Sequence, residues 1–137
     1  MGKILAIDYG LKRTGIAYSD EIIPIAHPLK TVQTHLLWDF LNKYFLENNV
    51  QTIVLGMPKK LDGSSTNSTP YVKGFKKKLC KEFPQKNIIM IDERFTSKIA
   101  KKSILACGVK KKRRQDKSLI DKVSATIILQ NYLDYKN

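Results

Sequence analysis

Three short apolar runs constrain this chain more than any other feature: KILAIDY at Lys3–Tyr9, TIVLG at Thr52–Gly56 and NIIMI at Asn87–Ile91. Each is aliphatic and β-branched and stops at a glycine or a polar residue, so each reads as a strand. Gly10 breaks the first run, and Gly15–Ser19 follows as a second strand with Gly10–Thr14 as a tight hairpin turn. Ile22–Ile25 is expected to form a third, shorter strand, ending near Pro24 and Pro28. Leu36, Leu37, Phe40, Leu41, Tyr44 and Phe45 then recur at helical spacing, with Thr34 placed to cap them. Val72, Phe75, Leu79 and Phe83 mark a second helix between TIVLG and NIIMI. Ile99–Cys107 and a segment from about Leu119 to Tyr135 complete the set. An antiparallel meander of three strands followed by βα alternation predicts an α/β chain: a mixed five-stranded sheet with helices on both faces. A length of 137 residues fits a single domain spanning 1–137.

Three carboxylates stand in places that this architecture makes unusual. Asp8 shares a strand face with Ile4 and Ala6, because side chains alternate with period two. An ionised group on a face meant for burial costs several kcal/mol unless it is paired or binds metal. Two readings fit it: an Asx-turn closing onto the Gly10 hairpin, or a metal ligand at a strand end. Asp92 and Glu93 follow the NIIMI strand, at the carboxyl end where open α/β sheets tend to bind ligands. They could equally be solvated loop acids or support the dipole of a helix starting near Thr96. Alternation sends the two to opposite sides, and Glu93 is the one expected at a site. Asp121 follows Ser118 in a pattern like a capping box, yet lines up with Ala125, Ile128 and Tyr132 on an apolar stripe. Together the three suit phosphoryl chemistry with Mg²⁺ or Mn²⁺, hard ions that take oxygen ligands and work in pairs about 4 Å apart.

Charge narrows the partners. Lys and Arg number 25 against 12 Asp and Glu, a formal net charge of +13. An excess that large repels itself in the folded chain and points to an anionic partner. Nucleic acid fits, because neutralising phosphates releases counterions. A membrane does not: the apolar run Ile4–Ile7 stops at Asp8, too short for a signal peptide or a span, and Ala6 stands where a myristoylation signal has Ser or Thr. Cys80 and Cys107 have no paired spacing and read as reduced thiols of a cytoplasmic protein. The run Lys110, Lys111, Lys112, Arg113 and Arg114 lies in sequence between Glu93 and Asp121, and it is expected to hold phosphates without reading bases. Lys59 and Lys60 open a polar loop, Lys59–Pro70, that either closes over substrate near Gly56 or is simply disordered. His27 and His35 have no neighbour at metal spacing and read as surface or packing residues.

The motifs come in a telling order: Asp8-Tyr-Gly-Leu-Lys-Arg-Thr-Gly15-Ile-Ala, Gly56-Met-Pro58, Asp62-Gly63, Asp92-Glu93-Arg94-Phe-Thr96-Ser97 with Ala100, and Ile120-Asp121-Lys-Val-Ser-Ala125. Over nearly the whole chain this resembles the YqgF family of Holliday-junction-resolvase-like proteins, which are also linked to pre-16S rRNA processing. The resemblance implies an RNase H-like fold and a metal-dependent endonuclease with Asp8, Glu93 and Asp121 as catalytic, metal-binding acids. Lys12, Arg13 and Arg94 within the motifs join Lys59, Lys60 and Lys110–Arg114 as expected nucleic-acid contacts. Ser124 stands where the family often has Ala. The expected substrate is structured RNA, a precursor of 16S rRNA trimmed at its 5′ end. Branched DNA is the alternative, and a non-catalytic basic RNA-binding protein is the third reading. A resolvase cutting two strands symmetrically would be a dimer, but nothing in the sequence separates monomer from homodimer.

Overall fold

A computed structural model describes residues 2–20, 22–57, 69–92 and 117–136. The elements run β1 Lys3–Asp8, β2 Arg13–Ser19, β3 His27–Gln33, a 3₁₀ turn Thr34–Leu36, α1 Leu37–Glu47, β4 Val50–Met57, α2 Thr69–Glu82, β5 Asn87–Asp92 and α3 Lys117–Lys136. They build one five-stranded sheet in the order β3-β2-β1-β4-β5. The first three strands are antiparallel neighbours, while β4 runs parallel to both β1 and β5. This is the mixed sheet with an antiparallel meander that the strand pattern predicted. The expected helix Ile99–Cys107 lies outside the described residues.

Alternation along each strand divides the core in two. Leu5, Ile7, Ile16, Ile53 and Leu55 pack with Leu37 and Leu41 of α1 and Val72, Phe75 and Leu79 of α2. Ile4, Ala6, Ala17 and Val54 point the other way and pack with Ala125, Ile128, Leu129, Tyr132 and Leu133 of α3. Fully burying each large side chain contributes about 1.5–3 kcal/mol, so both faces hold the sheet. Small residues face α3: Ala6 pairs with Ala17 across β1 and β2, and Asp8 pairs with Gly15. The helix can therefore lie close against this part of the sheet. Among the described residues no helix is long and apolar enough to cross a membrane.

Two local expectations are corrected. Ile22–Ile25 is not a strand: Ile22, Ile23 and Ile25 are exposed, and the Ile25 amide turns back to donate to the Ile23 carbonyl at 2.8 Å. The third strand starts at His27 and carries Pro28 as its second residue. Pro is admitted because β3 is an edge strand, where one side of the backbone needs no ladder partner. Thr34 does not cap α1 with its side chain. Its hydroxyl donates to the Gly10 carbonyl at 2.6 Å and meets the Thr14 hydroxyl at 3.0 Å, while its amide donates to Lys12 O at 2.9 Å. The hairpin between β1 and β2 is thus fastened to the start of the helical segment.

Candidate functional site

The recess begins at the rung that contains Asp8. Ile7 lies opposite Leu55, and Leu55 opposite Met90, so one residue further Asp8 comes level with Gly56 and Ile91. On its other side Asp8 faces Gly15. Asp8 is half-buried on the face of Ile4 and Ala6, which is the α3 face. Its two neighbours in the rung are glycines, so no side chain from β2 or β4 fills the space around it at the carboxyl ends of β1, β4 and β5.

Asp121 approaches the same rung from α3. A Cβ placed on Gly15 would lie 2.5 Å from the carbonyl carbon of Asp121 and nearer still to its oxygen. Only glycine permits that approach. Asp8 is across the ladder from Gly15 and Asp121 rests on it, so the two acids flank one residue on one face of the sheet. Asp121 is the fifth residue of α3, and Ser118 already lies within the helix, so the capping-box reading does not hold. The stripe of Ala125, Ile128 and Tyr132 is buried as its spacing required.

Arg13, two residues before Gly15 on the same face, donates from Nε to Asp121 Oδ2 at 3.0 Å. It therefore sets the direction of that carboxylate, a role its place in the hairpin motif did not reveal. Arg13 also lines an open groove of about 640 Å³ with Leu11, Lys12, Thr31, Gln33 and His35. Among the described residues this lining holds two fixed cations and no acid. His35, read as a surface residue, is exposed in that groove, while His27 sits on β3 against the Tyr18 ring with centroids 5.4 Å apart.

Glu93, Arg94, Lys59, Lys60 and the run Lys110, Lys111, Lys112, Arg113 and Arg114 lie outside the described residues. Among the described residues no group of three His, Cys, Asp or Glu side chains gathers. Asp8 and Asp121 both lie beside Gly15 on one face of the sheet, and their carboxylates are the oxygen donors that a hard divalent cation takes.

Comparison with known proteins identifies the family and the fold. The profile of the RuvX family, described as Holliday junction resolvase, matches residues 2–135. A Flavobacterium johnsoniae protein named "Putative pre-16S rRNA nuclease" is 48% identical over 136 residues, covering 99% of both chains. A Porphyromonas gingivalis protein of the same name is 48% identical, covering 98% of this chain and 97% of its own. Among solved structures, T. thermophilus RuvC in complex with a Holliday junction substrate superposes with a TM-score of 0.59 at 13% identity, over 99% of this chain and 96% of that one. The yeast mitochondrial Holliday junction resolvase Ydc2 gives 0.60 at 10% identity, over 97% and 78%. At such identities the superpositions establish a shared RNase H-like fold. Motif order, sheet topology and matched length lead to one conclusion: this chain belongs to the RuvX family, the relationship its motifs showed under the name YqgF.

Proposed function

We propose that this protein is a metal-dependent endonuclease that hydrolyses phosphodiester bonds, acting on the 5′ end of a 16S rRNA precursor. The observation that carries the proposal is that Asp8 and Asp121 both border Gly15 on one face, at the carboxyl ends of the parallel strands. Two carboxylates borne by neighbouring elements favour a site that gathers positive charge. Asp8 and Asp121 would hold Mg²⁺ or Mn²⁺. Ile89 and Ile91 pack on the α3 side, and an alternation carried on in sequence would favour Glu93 over Asp92 as the third ligand. A bound divalent ion supplies an activated water and stabilises the leaving oxygen. The chain's own part is to orient the substrate: Lys12 and Arg13 offer fixed positive charge beside the acids, and Lys59, Lys60, Arg94 and Lys110–Arg114 add to it. RNA is favoured over branched DNA because relatives named for pre-16S rRNA match at 48% over nearly their full length.

The test is cleavage of a 16S rRNA precursor and of a four-way DNA junction, each with Mn²⁺ and with EDTA. Native protein should cut the RNA only with metal. Losing a group that merely orients a ligand costs about 10–100-fold, so Asp8→Asn and Asp121→Asn should each cost about a hundredfold or more. The double variant should be no worse than either single one, as expected of groups that act as a unit. Retained cutting by a folded Asp8→Asn protein would overturn the catalytic assignment. Cutting of the junction but not the RNA would overturn the substrate.

A further inference from the structure

Arg13 occupies two places at once. Its guanidinium holds Asp121 at 3.0 Å, and it also lines the groove that runs from the site along Lys12, Thr31, Gln33 and His35. The pair is not locked away, since the Arg13 side chain is 35% exposed and that of Asp121 is 23% exposed. A pair this open is weakly held and can exchange partners. A divalent cation taking the Asp121 carboxylate would place like charge against the guanidinium. Repulsion then drives Arg13 off, and among the described residues the groove beside it offers no acid to receive it.

We infer that Arg13 is an exchangeable cation. It holds Asp121 in the metal-free protein, yields that carboxylate to the divalent ion, and turns into the groove to grip a phosphate of the nucleic acid. This rests on the metal site proposed above. Arginine suits the second task because its planar fork matches two phosphate oxygens. Metal and nucleic acid then bind cooperatively through one side chain, and each must raise affinity for the other by the same factor.

The experiment measures Mn²⁺ binding by titration calorimetry, and binding of a short, cleavage-resistant phosphorothioate RNA by anisotropy with and without Mn²⁺. Native protein, Arg13→Gln, Lys12→Gln and Asp121→Asn are compared, with Arg13→Lys standing in if Arg13→Gln fails to fold. Removing the competitor should tighten Mn²⁺ about two- to fivefold in Arg13→Gln, the range set by an exposed pair. Lys12→Gln removes the same charge from the next residue and should leave Mn²⁺ affinity nearly unchanged. Mn²⁺ should strengthen RNA binding in native protein and in Lys12→Gln, not at all in Arg13→Gln, and less than in native protein in Arg13→Lys, which keeps the charge but loses the planar fork. The inference is overturned if Arg13→Gln weakens Mn²⁺, which would make Arg13 a simple support for Asp121. It is also overturned if Lys12→Gln tightens Mn²⁺ equally, if Arg13→Gln keeps the RNA enhancement, or if Arg13→Lys keeps it in full. If native protein binds no Mn²⁺, or Asp121→Asn binds it normally, the metal-site reading itself fails.

Discussion

Replacing Gly15 with alanine tests the geometry that brings the two acids together. The new methyl would sit 2.5 Å from the carbonyl carbon of Asp121 and 3.2 Å from its Cα. Carbon atoms in contact settle at about 3.5–4.0 Å, so α3 must retreat by about 1 Å at this point. No flexible side-chain end is available to yield, because the obstructing atoms are helix backbone. Overpacking a core costs about 1–3 kcal/mol, and a rigid obstacle puts this change at about 3 kcal/mol. For a chain of this size that corresponds to a fall in Tm of roughly 10 °C. The control is Gly74→Ala in α2, where a Cβ meets nothing within 4 Å. Relieving helix-interior glycine should there stabilise the fold by about 0.5–1 kcal/mol. Urea unfolding of both variants, with Mn²⁺ calorimetry on folded Gly15→Ala, gives the answer. A Gly15→Ala protein with native stability and native Mn²⁺ affinity would refute the close approach of Asp121 to β2.

Two other substitutions probe the surroundings of the site. The Ser124 side chain is 1% exposed and its hydroxyl has no hydrogen-bond partner among the described residues, so Ser124→Ala should leave stability equal or raise it by up to about 1 kcal/mol. A clear loss in urea unfolding would show that the hydroxyl is bonded in the folded protein. Thr34→Val removes the 2.6 Å bond to the Gly10 carbonyl and the contact with Thr14, and should cost about 1–2 kcal/mol. Hydrogen exchange should then quicken first in the hairpin amides at residues 9–14, and uniform quickening across the sheet would contradict the local fastening.

What could be read from residues alone follows from which forces act locally. Buried parallel strands such as TIVLG and NIIMI are legible because both faces are apolar, and β4 and β5 extend them by only a few residues. Asp121 was legible because a charge on the stripe of Ala125, Ile128 and Tyr132 conflicts with the burial of its neighbours. The edge strand was not. Of HPLKTVQ only Val32 is buried, so no alternation marks it, whereas the exposed Ile22, Ile23 and Ile25 imitate a strand by composition. What holds that segment is distant: the Ala26 amide donates to Gln130 Oε1 on α3 at 3.0 Å. The pairing of Arg13 with Asp121 was hidden for the same reason, since the two lie 108 residues apart. Contacts of long sequence separation leave no periodic trace, and the site is made of them.

That origin explains how the fold can keep its acids together. Asp8 ends a central strand that is paired with both β2 and β4, and it is itself held by its pairing with Gly15. Asp121 belongs to a helix held down by Ala125, Ile128, Leu129, Tyr132 and Leu133. The close approach of Asp121 to β2 is therefore held by the burial of that whole stripe, at about 1.5–3 kcal/mol for each large side chain. Arg13 offsets the Asp121 charge from the partly exposed side, at 3.0 Å. Hydrophobic burial one turn and more along the helix fixes the Asp121 backbone against Gly15, so its carboxylate is kept on the face that carries Asp8 even if Arg13 lets go.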